Sequence, residues 1–259
     1  MIFKPSFPTQ LHKDAAETVR DYFLAVPCVD TVLVVNSCAR GQAVAESDLD
    51  FAILVEPETS RTEIGKMENA WQIYSQTQPT LNRYKQSGKF AHLHLDIIEG
   101  IYTPMKIENG EPIDYFEIEI GNQIRYSATM HNPGPYFQSL QNKWLPYYNE
   151  ELRLQRLRMI IDACSYDLDH IPFFVRRELY FQAFDQLWKA FQEYLQALFI
   201  ANKTYPIAYN KWIKEQVAKW LNKPELYKKL SPVLSVKNIE SDEINEKVAE
   251  LRRLVGDLL

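Results

Sequence analysis

Hydrophobic and polar positions alternate in two different rhythms along the chain. Over Leu11 to Ala25, Ala15, Val19, Tyr22 and Phe23 recur at spacings of three and four, which predicts a helix. The β-branched run Asp30-Thr-Val-Leu-Val-Val35 predicts a buried strand, and Asp50-Phe-Ala-Ile-Leu-Val55, stopped by Glu56-Pro57, predicts a second. Residues 61–86 are helical in pattern, and Ala91-His-Leu-His-Leu-Asp-Ile-Ile98 predicts a third strand. Residues 101–130 carry no firm pattern, although Tyr115-Phe-Glu-Ile-Glu-Ile120 alternates like a half-exposed strand. Beyond it the rhythm is helical, over 149–169, 173–201 and shorter stretches from Tyr209 onward. In the long middle stretch Tyr180, Phe184, Leu187, Trp188, Phe191, Leu195 and Leu198 form one apolar stripe.

These elements predict an α+β chain: a small mixed β-sheet with flanking helices, followed by an all-α helical bundle. Asn132-Pro-Gly-Pro135 and Leu145-Pro146 are loop signals, so a boundary is expected near residue 140, giving domains 1–140 and 141–259.

Composition narrows the class. At 259 residues, 46% hydrophobic and 13% aromatic, the chain is too apolar to be disordered. No apolar run reaches the roughly 18 residues of a membrane span, and the first residues lack the pattern of a secretory signal. Cys28, Cys38 and Cys164 form no CxxC pair, which argues against a disulfide framework and a structural zinc site. A cytoplasmic location is expected. Residues 1–150 carry a net charge of −7 and residues 151–259 a net of +2. Without a basic stripe, a long nucleic acid is an unfavourable partner, and a small or cationic molecule suits the field better.

Chemistry concentrates in Val34-Val-Asn-Ser-Cys-Ala-Arg-Gly41 and Ser47-Asp-Leu-Asp-Phe-Ala-Ile-Leu54. Alternate strand residues share a face, so Asp48 and Asp50 project together while Leu49 and Phe51 face away. Two close carboxylates repel, and a bound hard cation such as Mg2+ relieves that repulsion. Asp96 lies on the third strand, on one face with His92 and His94. If that strand neighbours the strand of Asp50, three carboxylates converge, the inventory of two-metal phosphoryl or nucleotidyl transfer. A site of carboxylates on a hard cation does not call for imidazole, so His92 and His94 are read as packing or substrate-side residues.

This segment resembles the nucleotidyltransferase superfamily with the polymerase-beta-like catalytic core. Its signature is Gly-Ser, a loop often holding Ala-Arg-Gly, then Ser-Asp-x-Asp and a later acid on a neighbouring strand. The likeness covers about residues 32–55 together with Asp96. The helical half, through Asn202-Lys-Thr-Tyr205 and Asn210-Lys-Trp212, is similar to the two-domain antibiotic nucleotidyltransferases that modify aminoglycosides or lincosamides. The resemblance implies that Asp48, Asp50 and Asp96 are catalytic and hold Mg2+, two ions in all. It implies that Asn36, Ser37, Arg40, Ser47 and Lys211 bind ATP or another nucleoside triphosphate. It further implies that AMP passes to a hydroxyl of a small molecule lying between the domains. Asp185 and Trp188, three apart on one helix face, are candidate acceptor contacts, with helix core as the alternative for Trp188. One position departs from the pattern: Asn36 stands where the family has Gly, and Asn is among the residues that best tolerate a left-handed backbone. Two rivals remain open, a protein-modifying nucleotidyltransferase and a nucleotide-binding relative without turnover.

Overall fold

The computed structural model describes residues 4–105 and 113–258. Two compact units make up the chain: Met1–Tyr102 with Glu119–Pro146, and Thr103–Ile118 with Tyr147–Leu259. Of the stretch 101–130, residues 106–112 lie outside the described residues.

The first unit holds α1 (Gln10–Leu24), β1 (Val29–Val34), α2 (Asn36–Arg40), β2 (Leu49–Val55), α3 (Arg61–Thr77), α4 (Pro79–Gln86) and β3 (Leu93–Ile98). Later in the chain it adds the short β4 (Ala128–Thr129) and a further helix over Pro135–Trp144. The strands form one mixed sheet in the order β3-β2-β1-β4. β1 runs antiparallel to both β2 and β4, and β2 runs parallel to β3. One face of the sheet, with Val32, Val34, Leu49, Phe51 and Ile53, packs with Ala15, Val19 and Phe23 of α1, Ile64, Met67 and Trp71 of α3, and Leu81 and Tyr84 of α4. The expected mixed sheet with flanking helices is therefore present.

Local signals explain several element ends. Thr9 caps α1, its side chain accepting from His12 N, and Ser60 and Glu63 form a reciprocal capping box at the start of α3. The single helical stretch expected over 61–86 is two helices. Pro79 has no N–H to continue α3, and it holds Gln78 in extended backbone, ψ 116°.

The strand expected over Tyr115–Ile120 is instead helical, α5 (Phe116–Ile120), continuing as a wider π-type turn over Gly121–Arg125. Six residues are too few for alternation to outweigh tertiary contacts. Phe116 and Ile120, four apart, are both buried, and Glu117 between them is drawn inside as an ion-pair partner. With α5 counted, the Pro135–Trp144 helix is α6.

The second unit is helical, as expected, with α7 (Glu150–Arg176), α8 (Tyr180–Ala201), a π-type turn at Lys214–Trp220, α9 (Pro224–Val233) and α10 (Glu243–Gly256). The break between the two long helices falls at 177–179 rather than near 170. Pro172 is accommodated inside α7, where buried Ile171 and Val175 hold that turn against the core. No helix among the described residues is long and apolar enough to cross a membrane.

Charged side chains are buried at two places among the described residues of this unit that bear on its stability. Arg156 donates to Asp114 and Glu117, all three being at most 1% exposed, and Gln196 Nε2 lies 3.0 Å from each carboxylate. Elsewhere Lys189 Nζ sits 3.0 Å from Asp167 and 3.8 Å from Glu193. Burial and the neighbouring Asp167 carboxylate push the Glu193 carboxyl up to about 9.

Candidate functional site

The site grows out of the loop joining β1 to β2. β1 delivers Val35 to Asn36, whose φ is +57°, and the chain turns there into the five-residue α2. Asn at this position meets the left-handed requirement that glycine would otherwise meet. α2 ends at Gly41, φ +69°, whose N–H reaches Ser37 O. Buried Cys38 and Ala39 fix its inner face, and Cys38 O accepts from Ser6 N at 2.8 Å.

Ser47 is held from several sides. Its N–H reaches Val44 O, and its hydroxyl oxygen accepts from Val44 N, each at 2.9 Å, closing a tight turn. Its carbonyl lies 3.0 Å from His12 Nε2 and 3.1 Å from the Tyr84 hydroxyl. A carbonyl only accepts, so both groups donate, and the imidazole proton sits on Nε2. Thr9 Oγ1 lies 2.7 Å from the other ring nitrogen, His12 Nδ1. His12 and Tyr84 are almost fully buried and contact edge to face. Helices α1 and α4 thus anchor the residue just before Asp48.

β2 begins with Leu49, buried against the core, which leaves Asp48 and Asp50 half-buried on the opposite side. The parallel register sets Asp50 opposite His94 and Ala52 opposite Asp96. His92, His94 and Asp96 all lie exposed. Asp48, Asp50 and His94 offer ligand atoms that fall within 4.8 Å of one another, and His94 Nε2 is 3.7 Å from Asp48 Oδ2. Asp96, one alternation further along β3, lies outside that group.

The local field is negative. Burial first, then the charges of Asp50 and Asp48, push the Cys38 thiol up to about 12. The Tyr84 hydroxyl is raised by burial, by Cys38 and by the same two carboxylates. A divalent cation fits these donors. With bonds of about 2.1 Å, ligands of an octahedral ion stand about 3 Å apart when adjacent and about 4.2 Å when opposite. The three ligand atoms, all within 4.8 Å of one another, span a comparable range.

The other sequence-assigned residues are placed as follows. Asn36, Ser37 and Arg40 lie on α2, half-buried. Lys211 belongs to the second unit, is exposed, and borders a cavity of about 360 Å³ with Tyr115, Lys189, Gln192, Tyr209 and Asn210. Asp185 is exposed on α8. Trp188 is half-buried against the helical core and stacks on Phe191 with ring centroids 5.7 Å apart. Sequence reasoning set His94 aside; the two-residue alternation His92, His94, Asp96 was the available signal, and strand pairing singles out the middle residue.

No protein-family model and no curated protein matches the sequence. Among solved structures, the chain is similar to a nucleotidyltransferase-like protein from Exiguobacterium sibiricum 255-15. The two are 13% identical over 95% of this chain and 74% of that one, with a TM-score of 0.47.

Proposed function

We propose that this protein is a divalent-metal-dependent nucleotidyltransferase, moving AMP from ATP to a hydroxyl of a small, cationic, aminoglycoside-like molecule. One observation carries the proposal: Asp48 and Asp50 lie beside His94 and its strand neighbour Asp96, at the end of the loop that starts with the Asn36-Ser37 turn. Bound at these residues, the metal supplies charge neutralisation for the triphosphate and the leaving pyrophosphate.

The chain's own residues do the rest. The Asn36-Ser37 backbone and the Ser37 hydroxyl hold the β- and γ-phosphates, with Arg40 as a nearby cation. The Ser47 hydroxyl, already accepting from Val44 N, keeps its proton free to donate to a phosphate oxygen. Asp96, exposed and outside the close metal-binding group, accepts the proton of the attacking hydroxyl. The acceptor oxygen bonds to the α-phosphorus, the bond from the α-phosphorus to the α–β bridging oxygen breaks, and pyrophosphate leaves. The net charge of −7 over residues 1–150 favours a polycationic acceptor.

Incubation with ATP labelled in the adenylate, the metal and a panel of hydroxylated amines tests this. Label should move to a small molecule with release of pyrophosphate, and Asp50→Asn should abolish both without loss of fold. Label appearing on a protein would replace the small-molecule reading with a protein-modifying one. No transfer to any acceptor, with no thermal stabilisation by ATP and metal together, would reject the proposal.

A further inference from the structure

The residue that completes the close group at this site is a histidine, not a third carboxylate. Parallel pairing of β2 with β3 sets His94 directly opposite Asp50. Its Nε2 stands 3.7 Å from Asp48 Oδ2, and the three side chains offer two oxygens and one nitrogen within 4.8 Å. The imidazole is mostly exposed, so little packing opposes the small rotation that ligation requires. His92, two residues earlier, lies on the same exposed face, its ring centroid 6.1 Å from that of His94, and is no member of the group.

Donor type decides which ion such a site prefers. Magnesium is small and hard, holds its waters tightly and gains little from a nitrogen ligand. First-row transition dications gain progressively more from imidazole along the series from manganese to copper. We propose that His94 ligates the metal together with Asp48 and Asp50, and that this mixed oxygen–nitrogen set selects a first-row transition dication, with manganese(II) as its lightest member, over magnesium. The inference rests on the metal-site reading above and extends it to the identity of the ion. Asp96 is thereby left outside the metal's ligands and available for the acceptor's proton.

The test uses the full chain and Mn2+ alone, read by electron paramagnetic resonance with pulsed detection of coupled 14N, and by competition with Mg2+. The expected result is one nitrogen coupled to bound Mn2+, with Mn2+ bound at least tenfold more tightly than Mg2+. His94→Asp should remove the nitrogen signal and shrink the preference to within a few-fold, whereas His92→Gln should leave both unchanged. A metal-free melting curve like that of the parent would show that His94→Asp folds. Bound Mn2+ without nitrogen coupling, or a preference unaltered in His94→Asp, overturns the assignment of His94 but leaves a carboxylate metal site standing. Failure of the parent chain to bind either ion overturns both the assignment and the metal-site reading.

Discussion

Arg156 is the side chain whose loss should cost the helical unit most. Its guanidinium makes four hydrogen bonds to two carboxylates: Nε and Nη2 to Glu117 at 2.6 and 2.7 Å, and Nη1 and Nη2 to Asp114 at 2.9 and 2.8 Å. The Tyr148 hydroxyl adds a 2.7 Å bond to Glu117, and the Phe116 ring lies 4.8 Å from the guanidinium carbon. Arg156→Met keeps much of the volume and removes the cation. Removing one partner of a buried pair costs about 3–5 kcal/mol, because the other charge is left uncompensated. Here one cation serves two carboxylates, which places the loss near the upper end. At roughly 3–5 °C per kcal/mol for a unit of this size, the helical transition should fall by roughly 15–25 °C. Two units need not unfold together, so denaturation of the full chain should be followed by hydrogen exchange of the α7 and α8 amides. The triple variant Arg156→Met, Asp114→Asn, Glu117→Gln removes the stranded charges and should recover at least half of the loss. A single variant within about 1 kcal/mol of the parent, or a triple variant no more stable than the single, would refute the charge argument.

Further outcomes follow from other sites. Burial and the Asp167 carboxylate hold the folded Glu193 carboxyl above its unfolded value, so its stabilisation is full below the unfolded value and is lost as pH rises toward the folded one. The parent should lose stability steadily between pH 5 and 8, and Glu193→Gln should flatten that slope; parallel denaturation profiles would contradict this. Gly100, φ +68°, would direct a Cβ into Leu140 Cδ1 and the Tyr136 hydroxyl, so Gly100→Ala should cost about 2–3 kcal/mol in urea titrations of the sheet unit. Asn36→Gly should leave stability within about 0.5 kcal/mol and tighten ATP binding measured by calorimetry, whereas Asn36→Ala should lose about 1 kcal/mol. Tyr84→Phe removes one of two donors to the Ser47 carbonyl and should cost about 1 kcal/mol, with weaker Mn2+ binding by titration.

Much of this protein was legible along the chain because the deciding interactions are local or periodic. The β-branched runs at 30–35 and 50–55 read as strands, since alternation and β-branching are properties of each segment alone. Asp48 and Asp50 share a face for the same reason. At Asn36, where the resembled family has Gly, the left-handed backbone of φ +57° agrees with the tolerance of Asn for that conformation.

Tertiary structure decided what depends on partners distant in sequence. Strand register cannot be read from one strand, and a shift of two residues would have set Asp96 rather than His94 opposite Asp50. The segment around Asp114 and Glu117 alternates like a strand. From Phe116 it is nonetheless helical, and Asp114 and Glu117 fall in the second unit, where Arg156, some forty residues onward, supplies the cation that two buried carboxylates require. The anchoring of Ser47 by His12 and Tyr84 likewise joins residues 35 and 37 positions apart. Periodicity reports which face of an element is apolar; which charge, register or carbonyl that face meets is fixed only when the chain closes on itself.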